Sequence, residues 1–256
     1  MKPPVLILHA PGTNRDREAA WAIETAGGAP TIVRIQALLQ GGARLMDHRM
    51  LVLPGGFSFG DDLGAGKLWA SALTAGLGDQ LLEFVASGRP VLGICNGFQA
   101  LVRAGLLPGD GAPFEQRATL TRNREGRFEC RWVRLRPEAK SPCVFTQGLT
   151  EDILCPVAHG EGRLASADDA QRARNDGLAA LRYVSATGGA PVYPENPNGS
   201  EGDIAGLTNP AGNVLGLMPH PEDHILPRQH PRAHRGERSG SGLPLFERGV
   251  QHAANL

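Results

Sequence analysis

The chain has 256 residues, 41% of them hydrophobic, and 26 Lys plus Arg balance 26 Asp plus Glu. That length can bury a full core as one large domain over residues 1–256, and zero net charge removes the global field that would gather nucleic acid or an anionic membrane. No apolar stretch approaches a membrane span, and Cys95, Cys130, Cys143 and Cys155 lack zinc or redox spacing, so free thiols in a cytoplasmic compartment are expected.

In chain order, Val5 to Leu8 read as a strand and Arg15 to Ala26 as a helix stopped by Gly27-Gly28. Thr31 to Ile35 give a second strand. Met50 to Leu53 give a third, which ends in Pro54-Gly55-Gly56-Phe57-Ser58-Phe59-Gly60. The spacing predicts helices over Lys67 to Leu73 and Leu77 to Ser87. Gly64-Ala65-Gly66-Lys67 lacks the spacing and the Ser or Thr of a phosphate loop.

Val91 to Ile94 read as a buried parallel strand, and Phe98, Leu101, Val102 and Leu106 mark one face of the helix after it. Beyond Pro108 come short β-like runs at Ala118 to Arg122, Phe128 to Leu135 and Ile153 to Val157. A helix over Ala167 to Asn175 and strands at Leu181 to Val184, Ile204 to Thr208 and Val214 to Met218 follow. Gly188 to Ser200 is a loop, Leu226 to Gly242 an exposed excursion, and Leu243 to Ala254 a closing helix. The expected fold is α/β: a doubly wound, mostly parallel, flavodoxin-like sheet with antiparallel additions, its crevice at the carboxyl ends of the strands.

Gly93-Ile94-Cys95-Asn96-Gly97 has the form Gly-x-nucleophile-x-Gly, a sharp strand-to-helix turn that pushes the middle side chain into a cleft. Unpaired N–H groups at a helix start favour an anionic sulfur there. A cysteine nucleophile needs a histidine oriented by an acidic group. Two His-x-Glu pairs qualify, His159-Gly160-Glu161 and His220-Pro221-Glu222, and each follows an apolar run. Spacing alone does not choose between them. The N–H of Asn96 and the Gly55-Gly56 loop are candidate donors to an oxyanion. His220, His224, His230 and His234 share no helical face and have Arg and Pro neighbours, so no metal site is expected.

Leu53-Pro54-Gly55-Gly56-Phe57-Ser58-Phe59-Gly60-Asp61, Gly93 to Gln99, and Met218-Pro219-His220-Pro221-Glu222 together resemble a class I (triad) glutamine amidotransferase. More narrowly, they are similar to the glutaminase subunits of phosphoribosylformylglycinamidine synthases, from purine biosynthesis. The resemblance implies Cys95 as nucleophile, His220 as base and acid, and Glu222 as its orienter. It implies Gly56 and Asn96 as the oxyanion hole, and Phe57, Gln99, Gly160 and Glu161 as glutamine-binding residues. It further implies that glutamine is hydrolysed through a thioester to glutamate and ammonia. The chain itself would hold no cofactor. The ammonia would pass to a large synthetase subunit that uses ATP and Mg, with a small third subunit in the complex. Rival readings are a cysteine hydrolase or protease on a similar fold and a non-catalytic regulatory relative. Leu226 to Gly242 departs from the compact bacterial form and suits a partner-contacting arm, to be tested by deleting Arg228 to Ser239.

Overall fold

Five parallel strands form the centre of a computed structural model that describes residues 1–256. They are β1 (Pro4–His9), β2 (Ala29–Arg34), β3 (Met50–Leu53), β4 (Val91–Ile94) and β11 (Val214–Leu217). Their order in the sheet is β2-β1-β3-β4-β11. Every residue of β3, β4 and β11 is buried, as continuous apolar runs require when helices cover both faces. Helix α1 (Asp16–Thr25) packs with α6 (Leu243–Ala254). Helix α3 (Lys67–Ala86) packs with α4 (Asn96–Arg103) and with the short α2 (Ile35–Leu39).

Beyond β11 the sheet continues antiparallel through β10 (Ile204–Thr208), β9 (Ala179–Tyr183), β6 (Glu129–Pro137) and β7 (Ile153–His159). A separate two-stranded sheet pairs β5 (Leu120–Arg122) with β8 (Glu161–Leu164), and α5 spans Ala167–Asn175. The far hairpin curls back over the rim: the His220 N–H donates to the Pro156 carbonyl of β7 at 2.8 Å.

The architecture agrees with the expected one, with three local differences. The two helices expected between 67 and 87 are one. Trp69, Leu73, Leu77, Leu81 and Phe84 form a single buried stripe, and its packing outweighs the cost of about 1 kcal/mol per internal glycine at Gly76 and Gly78. Ile35, expected to end a strand, begins α2. Strand β8 has no counterpart among the expected elements, because Glu161-Gly162-Arg163-Leu164 is too short and glycine-interrupted to show alternation.

Sheet order positions the site. Strands β3, β4 and β11 are neighbours running the same way, so the loops after Leu53, Ile94 and Leu217 leave side by side at one rim.

Candidate active site

Cys95 occupies the turn between β4 and α4 with φ 50° and ψ −105°. This left-handed conformation is costly for a residue with a Cβ, about 1–3 kcal/mol. Both ends of the residue are tied. Its N–H donates to the Leu217 carbonyl at 2.8 Å and its carbonyl accepts from the Gln99 N–H at 3.0 Å. The turn also brings α4 hard against β3: a Cβ built on Gly97 would stand 2.0 Å from the Leu53 carbonyl oxygen.

His220 and Glu222 follow β11. The imidazole Nδ1 lies 2.7 Å from Glu222 Oε1, and both residues are buried. Cys95 stands beside the same imidazole: a Cβ built on Gly55 would meet His220 Cε1 at 2.6 Å and Cys95 Cβ at 3.4 Å. Burial acts to strip the ring of its proton, but the Glu222 carboxylate and the Cys95 sulfur outweigh it and hold the His220 pKa well above the ordinary imidazole value. Gly55 makes room for this contact, since a Cβ there would stand 2.6 Å from His220 Cε1. The other His-x-Glu does not close in this way. His159 Nδ1 pairs with Asn123 Oδ1 at 3.1 Å, and the nearest cation to the Glu161 carboxylate is Arg103, 3.9 Å away.

The rim opens into a cleft of about 220 Å³ lined by Gly56, Phe57, Asp61, Ala65, Cys95, Gln99, Phe128, Ala158, His159, Gly160 and Glu161. All four expected glutamine-binding positions therefore lie on it, with the sulfur at one wall. Gly56 sits at φ 147° in a bridge to Thr13. Its N–H has no partner, and neither has the N–H of Asn96 at the first turn of α4. The Gln99 carboxamide is engaged inside the protein: Nε2 donates to the Glu161 carbonyl and Oε1 accepts from Asn96 Nδ2. Its contribution is thus to brace the Glu161 turn.

Sequence reasoning assigns no role to Asp61, Ala65, Phe128 and Ala158 on this cleft. Asp61 accepts from Asn96 Nδ2 at 2.9 Å, and burial, with a smaller push from Glu161, raises its pKa. Its position behind the Gly-rich loop after β3 is a usable signal. Phe128 and Ala158 arrive on the antiparallel half of the sheet, whose curl over the rim no local pattern announces. His220, Glu222 and Asp223 bring their ligand atoms within 4.8 Å, a cluster built on the imidazole–carboxylate bond. Of the remaining histidines, His224 and His230 stack edge to face at 5.5 Å.

The profile of the CobB/CobQ-like glutamine amidotransferase domain matches residues 2–253. A phosphoribosylformylglycinamidine synthase subunit PurQ from Treponema denticola is 47% identical, over 98% of this chain and 99% of its own. The subunit of that name from Dehalococcoides mccartyi is 43% identical over 98% of both chains. Among solved structures, a chain of PurLQS from Thermotoga maritima superposes with a TM-score of 0.71 at 32% identity, covering 100% of this chain and 99% of that one. Another Thermotoga maritima protein, described as a glutamine amidotransferase, shares the fold at 16% identity and a TM-score of 0.54, over 98% of this chain and 97% of its own. Sequence, fold and rim geometry agree, and the chain belongs to the glutamine amidotransferase family, with the PurQ subunits of phosphoribosylformylglycinamidine synthase as its relatives.

Proposed function

We propose that this chain is the cytoplasmic glutaminase subunit of a phosphoribosylformylglycinamidine synthase in purine biosynthesis, with Cys95, His220 and Glu222 as its catalytic triad. The observation that carries the proposal is the convergence of a strained cysteine turn and a buried imidazole–carboxylate pair on one amino-acid-sized cleft. Sγ of Cys95 attacks the side-chain amide carbon of glutamine and an S–C bond forms. The oxygen takes up negative charge against the free N–H groups of Gly56 and Asn96, each worth about 3 kcal/mol to such a state. The imidazolium of His220 gives its proton to the nitrogen, the C–N bond breaks and ammonia leaves. Water then attacks the thioester, passing a proton to His220, and the C–S bond breaks to release glutamate. Glu222 holds the ring in the tautomer these transfers need. Asp61 and Glu161 supply negative charge suited to the substrate ammonium, and Phe57 and Gly160 complete the cleft.

The ammonia goes to an ATP- and Mg-dependent synthetase subunit, in a complex with a small third subunit. Phe57 and Phe128, both large and exposed on the cleft, suit a covered face. The deciding experiment measures glutamate release from glutamine by the full chain, with and without the synthetase. Release that is stimulated by the synthetase and abolished by Cys95→Ser is expected. Cleavage of peptides with glutamine left untouched, or synthetase stimulation that survives Cys95→Ser, would overturn the proposal.

A further inference from the structure

The two N–H groups assigned to the oxyanion ride on different elements, Gly56 on the loop after β3 and Asn96 at the start of α4. Their mutual placement needs a tie. The Asn96 side chain, on a residue only 1% exposed, supplies one. Its Oδ1 accepts from the Ser58 N–H at 3.0 Å, and its Nδ2 donates to Asp61 Oδ1 at 2.9 Å and to Gln99 Oε1 at 3.0 Å. Both side-chain hydrogen bonds between residues 54–61 and α4 come from this carboxamide. The partners fix its orientation, because a flip would set oxygen against the Asp61 carboxylate and NH₂ against the Ser58 N–H. On its other side the same loop is held by the turn after β1. The Phe57 N–H donates to the Gly12 carbonyl at 3.0 Å, and the Arg15 N–H donates to the Gly55 carbonyl at 3.2 Å. Ser58 is held there too, its hydroxyl 3.3 Å from that of Thr13. Gly56 thus lies between a fixed backbone edge and the Asn96 clamp. Gln99 carries the tie onward, since its Nε2 donates to the Glu161 carbonyl at 3.1 Å.

We propose that the Asn96 carboxamide is a positioning group: it pins the loop bearing the Gly56 N–H to the turn bearing the Asn96 N–H, so that both donors reach one oxygen. The inference rests on the glutaminase reading and adds the device that sets its oxyanion hole. A donor counts only where the charge develops, and a misplacement of about 1 Å can cost about 10²-fold in rate. Ground-state binding draws on the hole far less, because the amide oxygen is then uncharged. Loss of the clamp therefore falls on kcat and spares KM.

The test uses the full chain assembled with its synthetase. Asn96→Ala keeps the backbone N–H and removes the clamp. It is expected to lower kcat for L-glutamine about 10–100-fold, while KM changes less than about threefold. Iodoacetamide displaces iodide at a saturated carbon and calls for no oxyanion. It should alkylate Cys95 at the wild-type rate and with the wild-type pH profile, read by mass spectrometry of the Cys95 peptide. An isosteric pair keeps the test decisive if alanine disturbs folding. Asn96→Asp sets a second carboxylate against Asp61 and should lower kcat at least about tenfold. Adding Asp61→Asn restores the bond between positions 61 and 96 with donor and acceptor exchanged, and should recover most of that loss in kcat. Four results would overturn the inference while leaving the glutaminase reading intact: a kcat for Asn96→Ala within about threefold of wild type, a loss that falls on KM alone, a matching loss of alkylation, or a double variant no faster than Asn96→Asp. A wild-type complex that releases no glutamate from glutamine would overturn both.

Discussion

At the scale of single residues, His159 and His220 are driven in opposite directions by the same low-dielectric surroundings. For His159 burial prevails. The unfolded imidazole binds a proton near 6.5 and the folded one only at about 4, so between those values acid favours the unfolded chain. Stability is lost as pH falls through that window, by about 3 kcal/mol in all. Urea midpoints should show this decline in the wild type and a flatter profile in His159→Phe. For His220 the Glu222 carboxylate and the Cys95 sulfur prevail over burial. The stabilisation they give is present below the unfolded pKa and fades as pH rises through the folded one. Glu222→Gln removes the larger of the two and should cost about 10²–10⁴ in kcat, the scale seen when a triad carboxylate is lost. It should also move the fall of the imidazolium form to lower pH in a pH–rate profile. Cys95 and both His-x-Glu pairs are legible as chemistry because their residue types and strand-end positions are local facts. Which histidine meets the sulfur is a non-local fact, set by β11 lying beside β4.

Elements carry the next level of constraint. Helix α4 approaches β3 so closely that Gly97→Ala forces backbone apart, since the new Cβ would stand 2.0 Å from the Leu53 carbonyl oxygen. A loss of about 1–3 kcal/mol or more in thermal or urea unfolding is expected. Gly55→Ala meets a side chain instead, at 2.6 Å from His220 Cε1. It should cut kcat at least about tenfold while shifting the unfolding midpoint little. That contrast separates packing from chemistry on two glycines of the same rim. The parallel strands and α4 are readable because apolar runs and helical spacing repeat within a few residues. Helix α3 reads as two because glycine propensity is local, whereas its buried stripe gains meaning only against α2 and α4.

The whole molecule balances its charges, but the segment after Ile225 does not. Arg228, Arg232, Arg235 and Arg238 face a single acid, Glu237, which pairs with Arg232. Most of the segment is exposed as expected, yet His230 is buried against His224, and Arg228 stacks over Trp21 at 5.8 Å. Deleting Arg228 to Ser239 would therefore uncover His224, and the cleaner cut is Pro231 to Ser239. That truncation should weaken association with the synthetase, more so at low salt, where unpaired guanidinium groups act furthest. Its rate of Cys95 alkylation should match the wild type. Unchanged affinity in sedimentation or calorimetry would remove the arm from the interface.

The curl of the β6–β7 hairpin links two distant parts of the chain mechanically. One amide proton, that of His220, is shielded by a carbonyl from the opposite margin of the sheet, and it can trade with deuterium only when the hairpin peels away. Its exchange rate is thus a built-in strain gauge. Any contact that tugs on the hairpin is felt directly at the backbone of His220, with no other element needed to relay it.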